Sequence, residues 1–403
     1  MNVYQRLGLR TAINAKGPAT RLSGGIMRPE VAAARAEASQ YCIDIAELQA
    51  TASVAIAAAT GAEAGYVASG AAACLLLGTA ACVAGLEPSL MARLPDTAGM
   101  KDEVVVVRSQ RNFYDHAVRA AGVRLVEVGL PDRYAGAGVR DAEPWEIADA
   151  ISPRTAAVFY VAHSFARPSL SAVVEVAHAA GVPVLVDAAA ELPPQANLRR
   201  FIAEGADLVA FSGGKAIGGP QASGILCGRR DLIMSAALQH LDLDIFWEQW
   251  SPPGALIDKA RLRGIPPHGI GRPCKVGKEE IVGLLTALDM FVAEGDAARH
   301  RRWLALMKEL AQGLDGLPGA AVTTDKFDDV EEVPTVGLAL AADAGCLALD
   351  LVIALQNGDP AVHVDPGAVD RGIVGFNPMC LQPADVPRLV ERVRSTVAAL
   401  ARS

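Results

Sequence analysis

Residues 212–224 read Ser212-Gly-Gly-Lys-Ala-Ile-Gly-Gly-Pro-Gln-Ala-Ser-Gly224, a single lysine set among glycines. Apolar runs flank this segment, and an earlier apolar run, Val182-Pro-Val-Leu-Val186, is followed directly by Asp187. A lysine becomes a competent nucleophile when its surroundings lower its pKa, and Lys215 is the candidate. In an α/β sheet ligands bind at the carboxyl ends of strands, where both Lys215 and Asp187 are expected.

A lysine and an aspartate in these positions are typical of a pyridoxal-phosphate (PLP) site. The cofactor aldehyde needs an amine to form a Schiff base, and its pyridine nitrogen needs a carboxylate to stay protonated. Lys215 and Asp187 fit these two roles, and their separation along the chain spans one strand–helix–strand step. The pattern therefore predicts a PLP enzyme with Lys215 and Asp187 as catalytic residues.

A second segment, Ser69-Gly-Ala-Ala72, begins a predicted helix with small residues. Small residues at a helix start expose backbone N–H groups to an anion, and Ser69 is the predicted N-cap. Ser212 precedes Lys215 by three residues, so its hydroxyl could reach a cofactor phosphate. The predicted phosphate-binding residues are Ser69, Gly70, Ala71 and Ser212.

Two other motif interpretations of the lysine segment fail. Ser212-Gly-Gly-Lys215 matches the serine–lysine pattern of penicillin-binding enzymes, but their Ser-Asp-Asn and Lys-Thr-Gly motifs do not occur in the chain. A nucleotide-binding P-loop is excluded because Val209 and Ala216 replace its first glycine and its Ser or Thr. The remaining alternative is a lysine in a surface turn and an aspartate that caps a helix.

The composition limits the class of protein. The chain has 403 residues, is 51% hydrophobic and carries a net charge of -8, which predicts a globular protein with room for two domains. Basic clusters are scarce, so nucleic acid is not expected as the main partner. Seven cysteines form no CxxC pair, and the N-terminus does not resemble a signal peptide. We therefore expect reduced thiols, no metal site and a cytoplasmic location.

One uncharged run, residues 64–85, is long enough to span a bilayer. Its Ala and Gly content is only weakly apolar, and Ser69-Gly70 divides it into a strand end and a helix start. We therefore predict buried elements of a globular domain, and no membrane span.

Apolar runs alternate with helical patterns from about residue 43 onward. Continuous apolar strands separated by helices predict an α/β fold with a mostly parallel sheet, covered on both faces. The predicted strands of this sheet are 65–68, 103–107, 124–128, 157–161, 182–186, 206–211 and 224–227, and clear helices are 45–60, 71–85 and 170–180.

The predicted domains follow from these patterns. Residues 1–45 form an N-terminal arm, irregular over its Gly- and Pro-rich part, and residues 46–285 form the large PLP-binding domain. Residues 286–403 form a smaller α+β domain, and a long helical pattern over 278–314 connects the two.

The chain resembles the fold-type-I PLP enzymes of the selenocysteine synthase (L-seryl-tRNA selenium transferase) type. It is most similar to their smaller relatives of the D-glucosaminate-6-phosphate ammonia-lyase type. The resemblance covers most of the chain and rests on Ile13-Asn-Ala-Lys-Gly-Pro-Ala-Thr-Arg-Leu22, Ser69-Gly-Ala-Ala-Ala73, Asp187-Ala-Ala-Ala-Glu-Leu-Pro-Pro194, Phe211-Ser-Gly-Gly-Lys-Ala-Ile-Gly-Gly-Pro-Gln221 and Gly271-Arg-Pro-Cys-Lys-Val-Gly-Lys-Glu-Glu280.

The resemblance implies the roles of several residues. Lys215 would carry the cofactor, Asp187 would hold the pyridinium, and Ser69, Gly70 and Ser212 would bind the phosphate. Sites of this type usually form at a subunit interface, which implies a homodimer or larger assembly. The full-length selenocysteine synthases carry an extra N-terminal tRNA-binding domain, which is not expected here, and with the acidic balance a tRNA-bound substrate is not expected either.

Two histidines are secondary candidates at the cofactor. A flat side chain should stack on the cofactor ring, and the segment 111–116 supplies Tyr114 and His116. His116 is the first choice, and its alternative role is a helix cap or a core histidine. His163 follows a predicted strand end and could contact the cofactor O3′ or fill the rim of the site.

Basic residues are the candidates for substrate binding. Arg272, Lys275 and Lys278 form a local cluster near glycines, which could anchor a substrate carboxylate or phosphate or could simply be a solvated helix start. Arg371 and the Asn377-Pro378 turn are alternative carboxylate contacts.

The predicted reaction is an α,β-elimination on a hydroxy amino acid. Lys215 removes the α-proton, the β-hydroxyl leaves with His116 or His268 as a general acid, and a 2-oxo acid and ammonia are released. The resemblance implies a sugar-derived substrate, with or without a phosphate, such as D-glucosaminate 6-phosphate. Racemisation, aldol cleavage, β-replacement on seryl-tRNA and non-catalytic PLP binding remain alternatives.

Overall fold

The computed structural model describes residues 2–130, 141–266, 268–341 and 345–401. The chain divides into two compact units. The small unit comprises Met1–Ile26, Pro193–Gln195 and Met290–Ser403, and the large unit comprises Met27–Leu192 and Ala196–Asp289.

The elements of the described residues are numbered in chain order. The strands are β1 (Ala12–Ala15), β2 (Ala64–Ala68), β3 (Glu103–Val107), β4 (Arg124–Val128), β5 (Thr155–Val161), β6 (Val184–Asp187), β7 (Leu208–Ser212), β8 (Gly224–Gly228), β9 (Ala320–Asp325), β10 (Thr335–Leu340), β11 (Ala361–Ala368) and β12 (Ile373–Phe376). The α-helices are α1 (Val3–Arg6), α2 (Pro29–Ala38), α3 (Ile45–Thr60), α4 (Ala71–Ala84), α5 (Pro88–Met91), α6 (Asp115–Ala120), α7 (Pro144–Ala150), α8 (Leu170–Ala179), α9 (Asn197–Ala203), α10 (Arg230–His240), α11 (Lys278–Leu314), α12 (Ala348–Asn357) and α13 (Asp385–Leu400).

The large unit is built on a sheet with the strand order β2-β8-β7-β6-β5-β3-β4. The pairs from β7 to β4 are parallel, and β8 runs antiparallel to both of its neighbours. The strands near the centre are buried along nearly their whole length, as expected for a sheet covered on both faces. The predicted α/β fold with a mostly parallel sheet is confirmed.

Helix α4 packs closely on this sheet and is buried on most of its surface. Gly78 makes the close approach possible, because a Cβ there would lie 3.0 Å from Leu185 Cδ1 and 3.3 Å from Leu208 Cδ1. The uncharged run of residues 64–85 is thus divided between β2 and α4, as predicted. Among the described residues, no helix is long and apolar enough to cross a membrane.

The small unit contains a second sheet with the order β1-β11-β12-β10-β9. The prediction that the Gly- and Pro-rich part of the N-terminal arm is irregular is wrong, since it contains β1 and α2. Strand β1 pairs in parallel with β11, which lies near the other end of the chain. No local sequence pattern around β1 therefore predicts this pairing. Helix α2 begins at Pro29, where a missing N–H costs nothing.

The long helix α11 matches the predicted range but is interrupted at Gly295, which has φ 68° and ψ 165°. Arg299, 1% exposed, closes this interruption: it donates to Asp296 Oδ1 at 2.6 Å and to the Phe291 carbonyl at 2.6 Å. Its guanidinium also lies 3.6 Å from the centre of the Phe291 ring. The division between the two units falls within this helix, at Asp289 and Met290.

Candidate active site

The carboxyl ends of β2, β6 and β7 meet at one edge of the large sheet. The register shows it directly: Ala68 of β2 and Ser212 of β7 both pair with Gly224, the first residue of the antiparallel β8. Asp187 ends β6 and pairs with Ala210 of β7. The structure therefore brings Ser69, Asp187 and the lysine segment to the same edge.

Asp187 and Lys215 influence each other's charge at this edge. Asp187 is 7% exposed, and burial raises the pKa of its carboxyl, while the N–H of Ala189 at 3.1 Å and the charge of Lys215 oppose the rise. Burial lowers the pKa of the half-buried Lys215 amine, and the charges of Asp187 and Glu191 oppose the fall. Burial thus makes the neutral amine more accessible to Lys215 than it would be in water.

Glycines on either side of Lys215 hold its turn against neighbouring backbone. A Cβ on Gly213 would lie 2.2 Å from Ser223 Oγ, and one on Gly214 would lie 2.8 Å from the Gln221 Cα. The carbonyl of Gly213 also accepts a hydrogen bond from Gly219 N at 2.9 Å. No side chain larger than hydrogen fits at these two positions without displacing its neighbours, so the glycines of the motif position the lysine.

The start of α4 differs from the prediction, because Gly70 and not Ser69 is the N-cap. Gly70 has φ 121°, a backbone conformation that residues with a Cβ rarely adopt. The Ser69 hydroxyl instead donates to the Cys274 carbonyl at 2.8 Å. No side chain of the described residues caps the helix, so the backbone N–H groups of its first turn remain available to an anion.

These features fit a cofactor that carries a phosphate. Space is open at the helix start, where a Cβ on Gly70 would meet no atom of the described residues within 4 Å. Gly224 brings β8 against the same backbone, since a Cβ there would lie 2.3 Å from the Gly70 carbonyl carbon. At the end of β5, His163 Nδ1 is buried and has no hydrogen-bond partner among the described residues. A buried orphan polar atom at a sheet edge is a candidate ligand contact.

His163 is held by its neighbour Phe165, whose ring centre lies 4.0 Å from that of the imidazole. Burial lowers the pKa of His163, so the ring is neutral at pH 7 and keeps one acceptor nitrogen. Its contact with the cofactor O3′ remains a prediction.

His116 lies in the first turn of α6, is exposed, and its Nδ1 lies 3.0 Å from an Arg119 guanidinium nitrogen. Tyr114 and Phe113 beside it are also exposed. Its stacking on the cofactor remains a prediction, as does the general-acid role of the exposed His268.

The predicted substrate anchors have different surroundings. Arg272 is already engaged, since it donates to the His240 carbonyl at 2.8 Å and pairs with Asp242 at 3.2 Å. Lys275 is exposed, and Lys278 pairs with Glu279 at 2.7 Å. In the small unit, Arg371 is exposed and Asn377 Oδ1 accepts from Met379 N at 2.9 Å. Their roles in substrate binding remain predictions.

Two features of the site are not among the residues that the sequence predicts. Glu191 affects the charge of Lys215, and its position four residues after Asp187 in the same motif could have suggested it. Tyr66 and His240 form a buried chain of hydrogen bonds to Cys274, next to Ser69. No local pattern links residues so far apart in sequence.

A mostly parallel sheet with one antiparallel strand, and a buried aspartate beside a lysine at its carboxyl edge, is the arrangement of fold-type-I PLP-dependent enzymes. A family model described as L-seryl-tRNA selenium transferase matches residues 46–243. A 5'-C-glycyluridine monooxygenase-decarboxylase from Streptomyces sp is 32% identical over 97% of this chain and 90% of its own. The chain belongs to the L-seryl-tRNA selenium transferase family of PLP-dependent enzymes.

A second relative is an enzyme of the ammonia-lyase type that the sequence resembles. The D-glucosaminate-6-phosphate ammonia lyase of Salmonella typhimurium (strain 14028s / SGSC 2262) is 29% identical over 98% of this chain and 97% of its own. A solved structure of a D-glucosaminate-6-phosphate ammonia-lyase matches with a TM-score of 0.82 and 28% identity over 100% of this chain and 99% of that chain. The predicted family and fold type are confirmed.

Proposed function

We propose that this enzyme is a PLP-dependent lyase that releases ammonia and a 2-oxo acid from a hydroxy amino acid. The observation that carries the proposal is the Asp187–Lys215 pair at the carboxyl edge of the sheet. Burial raises the pKa of Asp187 and lowers the pKa of Lys215. The similarity to an ammonia lyase over nearly the whole chain supports the reaction class.

The residues at the sheet edge provide a partner for each polar part of PLP. Lys215 would hold it through the amine, Asp187 would hold its ring nitrogen, and the first turn of α4 with Ser212 would hold its phosphate. His163 Nδ1, which has no hydrogen-bond partner within the described part of the chain, would contact a ring substituent. When bound, PLP supplies a sink for the electrons left behind when the α-proton of an amino acid is removed.

Lys215 is the proposed base for that proton. Since burial lowers its pKa, a larger fraction of its amine is neutral near pH 7 than for a lysine in water. Asp187, held at Oδ1 by Ala189 N, favours a protonated partner and so keeps the ring nitrogen charged. A proton delivered to the β-hydroxyl, for which His116 is proposed, lets it leave as water, and hydrolysis of the resulting enamine returns one water and releases ammonia.

The proposed substrate class is a sugar-derived hydroxy amino acid, with D-glucosaminate 6-phosphate as the first compound to test. The support is the name of the Salmonella relative. Arg272 and Lys275 are the proposed contacts for the acidic groups of the substrate, and Arg371 is the alternative carboxylate contact. Lys275, which is exposed, is the most accessible of those in the large unit.

A second candidate reaction is an oxygen-dependent decarboxylation of an amino acid. It is favoured by the 32% identity to the Streptomyces monooxygenase-decarboxylase, which extends over nearly the whole of both chains. The same lysine and aspartate would serve both reactions, so the two differ in what they consume and release. The decarboxylation takes up oxygen and releases carbon dioxide, whereas the elimination releases ammonia and a 2-oxo acid.

The test begins with the purified protein and PLP. Wild type should develop the absorbance band of lysine-bound cofactor, and borohydride reduction should fix the cofactor on the peptide that contains Lys215. Lys215→Ala should lose the band, whereas the exposed control Lys275→Ala should keep it. An unchanged band in Lys215→Ala would contradict the proposed site.

Product assays then separate the reactions. Hydroxy amino acids, with and without a sugar phosphate, are screened for ammonia and 2-oxo acid release, and amino acids with a nucleoside side chain are screened for oxygen uptake and carbon dioxide. Ammonia release without oxygen uptake supports the lyase. Oxygen uptake with carbon dioxide release supports the decarboxylase.

We further propose a cytoplasmic location and a homo-oligomeric assembly. All seven cysteines are free thiols, which fits a reducing compartment. Size measurement of the purified protein in the presence of PLP tests the assembly.

A further inference from the structure

A buried chain of hydrogen bonds in the large unit ends at Ser69, beside the proposed phosphate-binding start of α4. The Tyr66 hydroxyl lies 2.8 Å from His240 Nδ1, and His240 Nε2 lies 2.8 Å from the Cys274 carbonyl oxygen. The same oxygen accepts from the Ser69 hydroxyl at 2.8 Å. Tyr66 and His240 are 0% and 3% exposed, so water does not compete for these bonds.

The chemistry of the partners determines the direction of each hydrogen bond. A carbonyl oxygen only accepts, so His240 Nε2 must carry the proton. Burial lowers the pKa of His240, which keeps the ring neutral and leaves Nδ1 as an acceptor for the Tyr66 hydroxyl. Burial raises the pKa of Tyr66, so its hydroxyl stays protonated and donates the hydrogen bond to His240 Nδ1.

This chain fixes a loop against the start of α4. The Cys274 carbonyl receives both His240 Nε2–H and the Ser69 hydroxyl, while Arg272 donates to the His240 carbonyl at 2.8 Å. Gly271 N also donates to the Gln239 carbonyl at 2.8 Å. The end of α10 therefore holds residues 271–274, which in turn hold Ser69, the residue that precedes the N-cap Gly70.

We propose that His240 is a positioning residue for the cofactor phosphate: through the Cys274 carbonyl it holds Ser69, and with it the backbone N–H groups at the N-terminus of α4. The inference rests on the proposed PLP site. His240 itself would not contact the cofactor. The effect of a His240 substitution on ligand affinity should therefore depend on whether the Nε2–H group is kept, and on whether the ligand carries a phosphate.

Two substitutions separate the two nitrogens of His240. The amide nitrogen of glutamine can replace Nε2–H and keep the bond to Cys274, whereas asparagine reaches only as far as Nδ1. We expect His240→Asn to weaken PLP binding by about tenfold, the value of one lost buried hydrogen bond, and His240→Gln to remain within about threefold of wild type.

A comparison of two ligands separates an effect on the phosphate site from a general effect on binding. Affinities for PLP and for pyridoxal, which lacks the phosphate, are measured by absorbance titration on each variant. Loss for PLP alone supports positioning of the phosphate site, and equal loss for both ligands would overturn it. His300→Asn is the matched control, because His300 is 4% exposed and its Nε2 also lies 3.0 Å from a carbonyl, that of Lys326 in the small unit.

A second variant covers the case in which His240→Asn does not fold. Tyr66→Phe removes only the hydroxyl that holds the tautomer, and we expect a smaller loss, again for PLP and not for pyridoxal. Wild-type affinity for PLP in His240→Asn, or in Tyr66→Phe where His240→Asn does not fold, would overturn the inference. Absence of the cofactor band in wild type would instead overturn the proposed function.

Discussion

At the residue scale, Asp187 is placed where its charge is costly without a partner. It is 7% exposed, and burial raises the pKa of its carboxyl despite the N–H of Ala189. A protonated ring nitrogen would compensate this cost. On the proposed function, the free protein carries at Asp187 an electrostatic penalty that cofactor binding would relieve, a common property of functional sites.

Asp187→Asn should therefore stabilise the cofactor-free protein while it impairs the reaction. In wild type the folded-state pKa is raised, so stability is lost as the pH rises through that pKa. The amide does not titrate, so its advantage should be about 1 kcal/mol at pH 8 and should vanish in acid. Urea unfolding at pH 8 and in acid checks this, and Asp149→Asn, at an exposed position, is the control. A variant less stable than wild type at pH 8 would contradict the argument.

Gly224→Ala tests the contact between β8 and the start of α4. The added Cβ would lie 2.3 Å from the Gly70 carbonyl carbon and 2.6 Å from Ala71 N, and backbone cannot yield as a side chain can. We expect a loss of about 1–3 kcal/mol in the free energy of unfolding and weaker PLP binding. Gly254→Ala, where a Cβ would meet nothing within 4 Å, should be near neutral. Equal effects of the two substitutions would refute the contact.

At the element scale, α11 holds a buried charge at its interruption. Arg299 is surrounded by Asp296 and the Phe291 carbonyl, and Asp296 also accepts from Gln195 N at 3.0 Å through both of its carboxylate oxygens. The guanidinium therefore joins both sides of Gly295 and supports the short segment Pro193–Gln195 within the small unit.

Arg299→Met should destabilise the protein by about 3 kcal/mol, because it leaves the partly buried Asp296 without its closest cation. Arg302→Ala removes a pair with Glu294 in which the arginine side chain is 46% exposed, and should cost less than about 1 kcal/mol. Chemical unfolding of both variants measures the difference. If the two losses are similar, Arg299 does not clamp the interruption.

At the scale of the whole molecule, the net charge of -8 opposes binding to a polyanion. We expect no electrophoretic shift of tRNA at physiological salt, and no dependence of activity on tRNA. A salt-sensitive shift in the low micromolar range would instead favour the β-replacement alternative of the selenium transferases.

Most elements of the large sheet could be predicted because its strands are continuous apolar runs, whose local composition is sufficient evidence. Strand β1 could not, since its partner β11 lies near the other end of the chain. Because serine is a good N-cap, the sequence predicts Ser69 as the cap of α4, but the Ser69 hydroxyl donates to the Cys274 carbonyl instead. Both misses arise from contacts that are distant in sequence.

The sequence by itself determined the family, whose members depend on PLP, and it predicts Lys215 and Asp187 as the catalytic residues, because a lysine among glycines and a strand-ending aspartate are local patterns. Only the tertiary structure decided how those residues are supported. Burial shifts the pKa values of Asp187 and Lys215, and the chain from Tyr66 through His240 to Cys274 holds Ser69. Both effects depend on which distant residues exclude water and supply partners, which no local pattern records.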